Sequence, residues 1–379
     1  MNFNGLFTEA AKRVKPDTVV RIANQARPSS AYFFNSILPE RIVSTREVST
    51  ETMIFRSIMA GLVPMDGPYP EGMTVEGSSF NEKLLKIAIQ QSFNEGAMVQ
   101  LQEIIKNVQL TKGGNGSVKV LIQNFLNFVD KMLMQPHLDT AEWLRAQALL
   151  EGQISWTYNK MKVEVDYGIP AAALATNRTG NDGYGGSASK FWTDILAAKT
   201  YLKNRVQTFV ASGDTINMII SNSANSLRVV SEFEDGFEVV RYSGSLETAS
   251  TESRYRCRLV SYNLEYEVLN TTNAKEARTV VKPFLTPGYI LAVGKPDIRQ
   301  GFYLTDDVDQ GGTPDPSQYD PLGYTALGPV MENDGKPGRW ARVYTPENKP
   351  ASLIGQAVAT VLPVITNPKG IYRLKSEVV

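Results

Sequence analysis

Between Ser117 and Gly152 the chain carries apolar residues at helical spacing for longer than an ordinary domain needs. Val118, Leu121, Ile122, Phe125, Val129, Met132 and Leu133 recur three and four apart, which places them on one helical face. Pro136 is expected to interrupt the run, because proline lacks the N–H and clashes with the preceding turn. Asp139, with Glu142 three residues on, reads as a capping box that restarts it. Trp143, Ala146, Gln147 and Leu150 continue the stripe, and Gly152 supplies the stop. The product is a spine of about 35 residues with one break, against a globular mean of about 11–12. A helix that long acts as a girder, and other elements must be laid along it.

Immediately past Gly152 the period changes to two. Ile154 and Trp156, then Met161, Val163 and Val165, flank a turn at Asn159-Lys160 and predict a hairpin. Residues 170–189, PAAALATNRTGNDGYGGSAS, look too small and polar to pack and read as a domain boundary. Residues 52–92 predict a long hairpin that reverses where Gly67, Pro68, Pro70 and Gly72 cluster. Its flanks of about 14 and 20 residues exceed the usual strand of about six, so it should project and find cover on another copy. Residues 1–50 read as polar and irregular, spaced by Pro16, Pro28 and Pro39. Their one apolar anchor, YFFNSILPER at 32–41, is expected to reach across a surface. A short helix at 95–107 and a glycine-rich linker at 111–117, without the pattern of a phosphate loop, fill the gap before the spine.

Residues 190–305 read as α/β material. A helix at 190–203 precedes the strand VQTFVAS and a helix capped by Asp214. Residues 254–269 predict a half-buried strand in which Leu264, Tyr266 and Val268 alternate with polar neighbours. GYILAVG and GFYLTD are further strands, and the proline- and glycine-rich stretch 309–338 is expected to wrap the surface. RWARVY, SLIGQAVATVLPVI and GIYRLK close the chain as strands.

Composition withholds chemistry. His137 is the only histidine and Cys257 the only cysteine of 379 residues, which argues against zinc clusters, an internal disulfide and histidine-based triads. His137 reads as packing or solvent-facing, and Cys257 as a buried thiol in a strand. Asp306, Asp307 and Asp309 lack the glutamate that closes a calcium loop and read as an acidic turn. Trp143, Trp156, Trp192 and Trp340 read as core anchors. No catalytic, metal-binding or cofactor-binding residue is assigned. Lys+Arg and Asp+Glu both number 39, a balance that argues against a dedicated nucleic-acid binder and suits a surface that meets its own copies. The first residues lack the apolar core of a signal peptide, and no run reaches the roughly 18 apolar residues of a membrane span. A soluble protein of a reducing cytoplasm, with no membrane partner, is expected.

Taken in order, these segments resemble the major capsid protein E family of tailed bacteriophages, the lambda-type branch of the Hong Kong 97 fold. YFFNSILPER is similar to the family's N-terminal anchor, an aromatic pair running up to a proline. EWLRAQALLEGQISW with VEVDYG resembles its end of spine helix, glycine and hairpin. KPFLTPGYILAVGKPDIRQGFYL and SLIGQAVATVLPVITNPKGIYRLK are similar to its later strands. One departure is Asn348-Lys349-Pro350, where relatives often carry Asp-Pro.

The resemblance implies an α+β capsid fold: an N-arm over 1–50, an extended E-loop over 51–92, and a P-domain with spine helix and sheet over 93–170. An α/β A-domain with surface loops would follow over 171–338, and strands returning to the P-domain over 339–379. It also implies subunit contacts through an E-loop tip of Met65, Asp66, Gly67, Pro68, Tyr69 and Pro70. The N-arm anchor Tyr32, Phe33 and Phe34 would make others, and Leu121, Phe125, Val129 and Trp143 would form the core face of the spine. The implied function is structural, self-assembly as hexamers and pentamers into an icosahedral shell around double-stranded DNA. The shell would belong to a virion assembled in the bacterial host cytoplasm, with scaffolding, portal and decoration proteins as partners and no cofactor. DNA would lie close without being read. The absence of a large N-terminal scaffolding segment implies a separate scaffolding protein or none. An encapsulin-like compartment shell is the alternative within the fold. A carboxylate-dependent hydrolase is a remote one, because nothing in the spacing of the 39 acids selects a pair.

Overall fold

A computed structural model of the chain describes residues 16–54, 76–93, 103, 123–124, 126–158, 161–202, 206–225, 228–234, 237–243, 257–269, 279–294, 322–344 and 353–377. The E-loop tip at 65–70, the 111–117 linker, Leu121, Phe125, GFYLTD and the 306–309 turn lie outside the described residues, as does all of the expected 95–107 helix but one residue.

In chain order the elements are α1 (Pro16–Gln25), α2 (Phe33–Ile37), β1 (Glu40–Ile42), β2 (Glu47–Ile54), β3 (Glu76–Lys83) and β4 (Leu85–Phe93). A helix follows, π over Val129–Met134 and α over Gln135–Glu151 (α3), then β5 (Gln153–Tyr158), β6 (Met161–Asp166) and α4 (Ala171–Leu174). Next come α5 (Phe191–Tyr201), β7 (Val206–Ala211), α6 (Gly213–Ser221), β8 (Arg228–Glu234), β9 (Phe237–Ser243) and β10 (Cys257–Ser261). The last are β11 (Glu265–Leu269), β12 (Thr279–Pro283), β13 (Tyr289–Gly294), β14 (Gly323–Leu327), β15 (Arg339–Tyr344), β16 (Leu353–Ile365) and β17 (Ile371–Lys375).

The 13-residue strand β16 organises one sheet. It pairs antiparallel with β4 along one edge, from Leu353↔Phe93 to Val361↔Leu85. Its other edge takes β14 and then β15, from Gly323↔Ile365 to Tyr344↔Ile354. β14 and β15 therefore lie in line, as one long strand that residues 328–338 interrupt. β1 adds in parallel outside β14. The expectation that 309–338 wraps the surface fails for β14, which is buried along most of its length. Its Gly, Thr and Ala residues carry little hydrophobic signal because both of its faces are covered and crowded.

The spine lies across this sheet. Phe128, Val129, Leu133 and Met134 pack with Ala341 and Ala357, and α1 closes the cluster with Val19 and Ala23. A Cβ on Gly355 would stand 2.7 Å from Phe128 and 2.8 Å from Leu133, so glycine is what lets helix and strand approach. The helix α1 falls in a stretch read as irregular. Nor does Pro136 break the spine. The Gln135 N–H bonds back to Asp130 O, a π-type step, so the proline falls where the ladder changes register and one donor is spare. Asp139 and Glu142 are consequently interior helical residues rather than a capping box.

A second, six-stranded sheet runs β17-β13-β7-β10-β9-β8, with only β7 and β10 parallel. The closing segment 339–379 is thus divided, β15 and β16 to the first sheet and β17 to the second. The 254–269 stretch is divided too: Cys257–Ser261 belongs to this sheet, and Glu265–Leu269 pairs with β12 instead. Helix α6 is capped by the Ser212 hydroxyl, which accepts from Thr215 N at 3.3 Å, and not by Asp214.

Residues 170–189 do not form an unpacked boundary. Tyr184 is fully buried, meets Phe191 edge-on at 5.6 Å, and donates its hydroxyl to Asp194. Arg178 clamps the same carboxylate with two bonds of 2.9 and 2.6 Å. The segment looks polar in sequence because its packing is made of paired polar groups around one aromatic ring.

Candidate functional site: the anchor and the two ends of the spine

Helix α2 presents Tyr32, Phe33 and Phe34 to the middle of α3. Phe34 is 0% exposed, its ring edge-on to Tyr262 at 5.1 Å, and Tyr32 packs edge-on against Phe284 at 6.1 Å. Phe33 is half-buried, 6.0 Å from Tyr262. The anchor thus joins its own spine to its own six-stranded sheet. This corrects the expectation that Tyr32 and Phe34 meet a neighbouring subunit: their own chain already covers them.

Polar groups lock the anchor in place. The Phe34 N–H donates to Glu142 Oε1 at 2.8 Å, and the Tyr262 hydroxyl donates to the same oxygen at 2.9 Å. Arg145 donates to Glu142 Oε2 at 3.0 Å, to Thr325 Oγ1 at 2.8 Å and to Glu40 Oε1 at 3.2 Å. Arg339 adds a bond to Glu40 and another, at 3.1 Å, to Ala26 O. Two carboxylates and two guanidiniums are therefore buried together, drawn from the N-terminal segment, the spine and the first sheet. Burial holds the Glu142 carboxyl above its usual range even though Arg145 and Tyr262 pull it down. The Tyr32 hydroxyl donates to Asp139, whose carboxyl is likewise raised by burial. Removing one member of such a network strands a buried charge, the expensive error in a low-dielectric interior.

At its far end the spine stops on Gly152, at φ 70°, in the left-handed region. Arg373, from β17, donates to Leu150 O at 3.0 Å and to Glu151 Oε2 at 2.9 Å, a cation on the negative end of the helix. The hairpin then returns to the same point: Tyr167 N donates to Gly152 O at 3.0 Å, and Tyr167 Oη to Pro363 O of β16 at 2.9 Å. Gly168, at φ 61°, donates to Asp166 Oδ1 at 2.9 Å. In Val-Asp-Tyr-Gly, then, the valine is buried, the aspartate shapes a turn, the tyrosine straps the turn to the sheet, and the glycine supplies the left-handed residue.

Of the expected spine-core residues within the described chain, Val129 is fully buried. Trp143 is half-buried and meets Trp156 edge-on at 5.1 Å. Half-buried Trp192, like Trp143, packs against the main core, whereas Trp156 is 45% exposed and Trp340 half-buried, so these two are not the core anchors expected. Glu40, Arg145, Tyr262 and Arg339 went unmarked in the sequence. One signal was available: Glu142 and Arg145 stand three apart inside a stripe of Leu138, Ala141, Leu144 and Leu149, where unpaired charges do not survive. Among the described residues no group of three or more His, Cys, Asp and Glu is arranged to hold a metal.

The phage major capsid protein E family model matches residues 17–314. A solved capsid protein assigned to a prophage of E. coli CFT073 is similar with a TM-score of 0.52 at 12% identity, covering 100% of this chain and 99% of that one. The mature capsid of bacteriophage PhiM1 is similar at 0.42 and 9% identity, over 90% of this chain and 86% of that one. The SrpI encapsulin of Synechococcus elongatus PCC 7942 is similar at 0.42 and 8% identity, over 93% and 90%. No curated protein matches the sequence.

Proposed function

The chain belongs to the phage major capsid protein E family, and we propose that it closes as hexamers and pentamers into an icosahedral shell around double-stranded DNA. Membership alone makes it a structural capsid protein of the virion, not an enzyme, that assembles with copies of itself. Its fold is the α+β fold of phage capsid proteins, of the Hong Kong 97 type.

The observation that carries the finer reading is the β2–β3 hairpin. Its strands pair with each other over eight residues, from Glu47↔Lys83 to Ile54↔Glu76, and with no other described strand. Its base is tied down where Val48 packs on Ala326 and Val364. A two-stranded ribbon this long is marginal alone in water and gains stability from a covering surface. In the proposed shell it is the E-loop, and its tip, Met65 to Pro70, rests on the neighbouring subunit. The first sheet and spine form the P-domain, and the six-stranded sheet forms the A-domain around capsomer centres. Packaged DNA is met without sequence reading, in keeping with 39 positive and 39 negative side chains. Scaffolding, portal and decoration proteins complete the particle, which assembles in the host cytoplasm.

Sedimentation and electron microscopy of the purified chain test this, with closed shells as the expected result and a persistent monomer as the result that overturns it. Deleting residues 64–73 should leave a folded, soluble subunit that forms no shells. Normal shells from that deletion would refute the E-loop assignment. Shells loaded with protein cargo in uninfected cells would overturn the DNA-enclosing reading.

A further inference from the structure

We propose that Asp182-Gly183 and Asp334-Gly335 are isoaspartate-prone bonds that their own turns hold unreacted. Asp-Gly occurs four times in the chain, at Asp66, Asp182, Asp235 and Asp334, and the second and fourth lie among the described residues. In such a pair the glycine nitrogen attacks the aspartate Cγ. A C–N bond closes a five-membered succinimide, and the Cγ hydroxyl leaves as water with the amide proton. Water then opens the ring, and opening at the main-chain carbonyl routes the backbone through Cγ. Glycine speeds the closure because it puts no side chain in the way. Both aspartates are exposed, so burial does not shield them.

The connection between β14 and β15 supplies the tighter lock. Asp334 sits at φ 55° and ψ 32°, and Gly335 at φ 75°, so two left-handed residues stand in a row. That is the backbone of a type I′ turn, closed by Lys336 N donating to Asn333 O at 3.0 Å, and Asp-Gly is a favoured pair for it. The turn that calls for the vulnerable pair also withholds its nucleophile. Gly335 N donates to Val330 O at 3.0 Å, and Asp334 N to Met331 O at 3.2 Å. At ψ 32° the Gly335 nitrogen lies on the side of Cα away from Cβ, so ring closure needs a large rotation about the Asp334 Cα–C bond. That rotation breaks the bonds to Val330 and Asn333 together.

The same device recurs at Asp182. It ends a 3₁₀ turn, Gly180–Asp182, and Gly183 N donates back to Gly180 O at 3.0 Å. Gly183 is itself buried, and a Cβ there would stand 3.0 Å from Gly180 O, so the fold favours glycine after this aspartate. Asp182 O accepts from Lys190 N at 3.3 Å, and Tyr184 N donates to Ser376 Oγ at 2.9 Å. Rotation at Asp182 therefore pulls on the contacts that hold both flanks of the bond. A capsid protein held in a virion is not resynthesised, so covalent damage slowed at these turns is damage that does not accumulate.

Isoaspartate formation in the unaltered full-length chain tests this, followed by peptide mapping and mass spectrometry near neutral pH, folded and in guanidinium chloride. At both sites the folded rate should be at least about tenfold lower, since backbone hydrogen bonds must open before the ring can close. Equal rates in the two states overturn the proposal. Lys336→Pro removes the N–H that closes the outer turn and leaves Asp334-Gly335 intact. In that variant the folded rate should rise toward the unfolded one at Asp334 and stay low at Asp182, which reports that the chain is folded. A rate that stays low at both sites overturns the assignment of protection to the turn. The two rates of the unaltered chain decide by themselves if Lys336→Pro does not fold.

Discussion

Tyr32-Phe33-Phe34 and Ile154-Ser155-Trp156 both bring aromatic side chains against the same helix, and they end in opposite environments. At the first, Phe34 is sealed, and the groups around it are paired within one chain: its own N–H with Glu142, Tyr32 with Asp139, Arg145 with Glu142 and Glu40. At the second, Trp156 leans on Trp143 and stands half in water. Aromatic content therefore does not separate an intrachain anchor from an exposed surface. What separates them is how far the same subunit covers the rings, with Phe34 fully buried and Trp156 45% exposed.

The sharpest way to break this contrast is Arg145→Met, which leaves Glu142 and Glu40 buried with one cation fewer. We expect a loss of about 3–5 kcal/mol in urea unfolding, with part recovered in the double variant that adds Glu142→Leu. An unchanged midpoint would mean the network contributes nothing to holding the anchor. Phe34→Ala should cost a similar amount, about 3–5 kcal/mol, as a large cavity opens between spine and sheet. Equal, small losses for Phe34→Ala and Trp156→Ala would erase the contrast.

Acid should weaken the anchored region through His137. Burial, with the Arg339 charge adding to it, lowers its pKa from 6.5 to about 4. The folded chain keeps the ring neutral while the unfolded chain takes a proton below 6.5. The full contribution is therefore present above pH 6.5 and is lost as the pH falls toward 4, by about 3 kcal/mol. Asp139 and Glu142, both raised by burial, pull the other way, since acid spares them a buried charge. His137→Asn isolates the histidine: its unfolding midpoint should lose the downward slope between pH 6.5 and 4.5. A variant that keeps the wild-type slope would acquit His137.

Smaller effects belong to the hairpin. Gly152→Ala must hold a left-handed residue and press on Leu174, 3.1 Å from the new Cβ, and should cost about 1–2 kcal/mol in thermal unfolding. Trp156→Ala should change subunit stability by less than about 1 kcal/mol, since its ring is 45% exposed. A larger loss in the isolated subunit would move Trp156 to the same side of the comparison as Phe34.

Much of this was legible in the residues. Gly152 and the switch from helical to alternating period located the end of the spine and its hairpin. RWARVY, SLIGQAVATVLPVI and GIYRLK appeared as strands because each alternates or runs apolar. The failures have physical reasons. Pro136 reads as a break only under an unbroken α ladder, and the π stretch before it removes the conflict. β14 hides because a strand crowded on both faces uses Gly, Thr and Ala. Tyr184 hides because polar pairing rather than apolar mass packs its segment. The buried charges were the hardest, because Glu40, Arg145 and Arg339 are drawn together by tertiary contacts that no local pattern encodes.

Arg373 reaches Leu150 across 223 positions, and β4 pairs with β16 at comparable separation. A ribosome that has delivered the spine has not yet made the strand that seals its end or the strand that its sheet is built on. A chain that stops short of β16 and Arg373 accordingly leaves the β4 edge and the end of the spine bare. Folding of this subunit therefore waits on contacts of high sequence separation, which form slowly because a long loop must close before they stabilise anything.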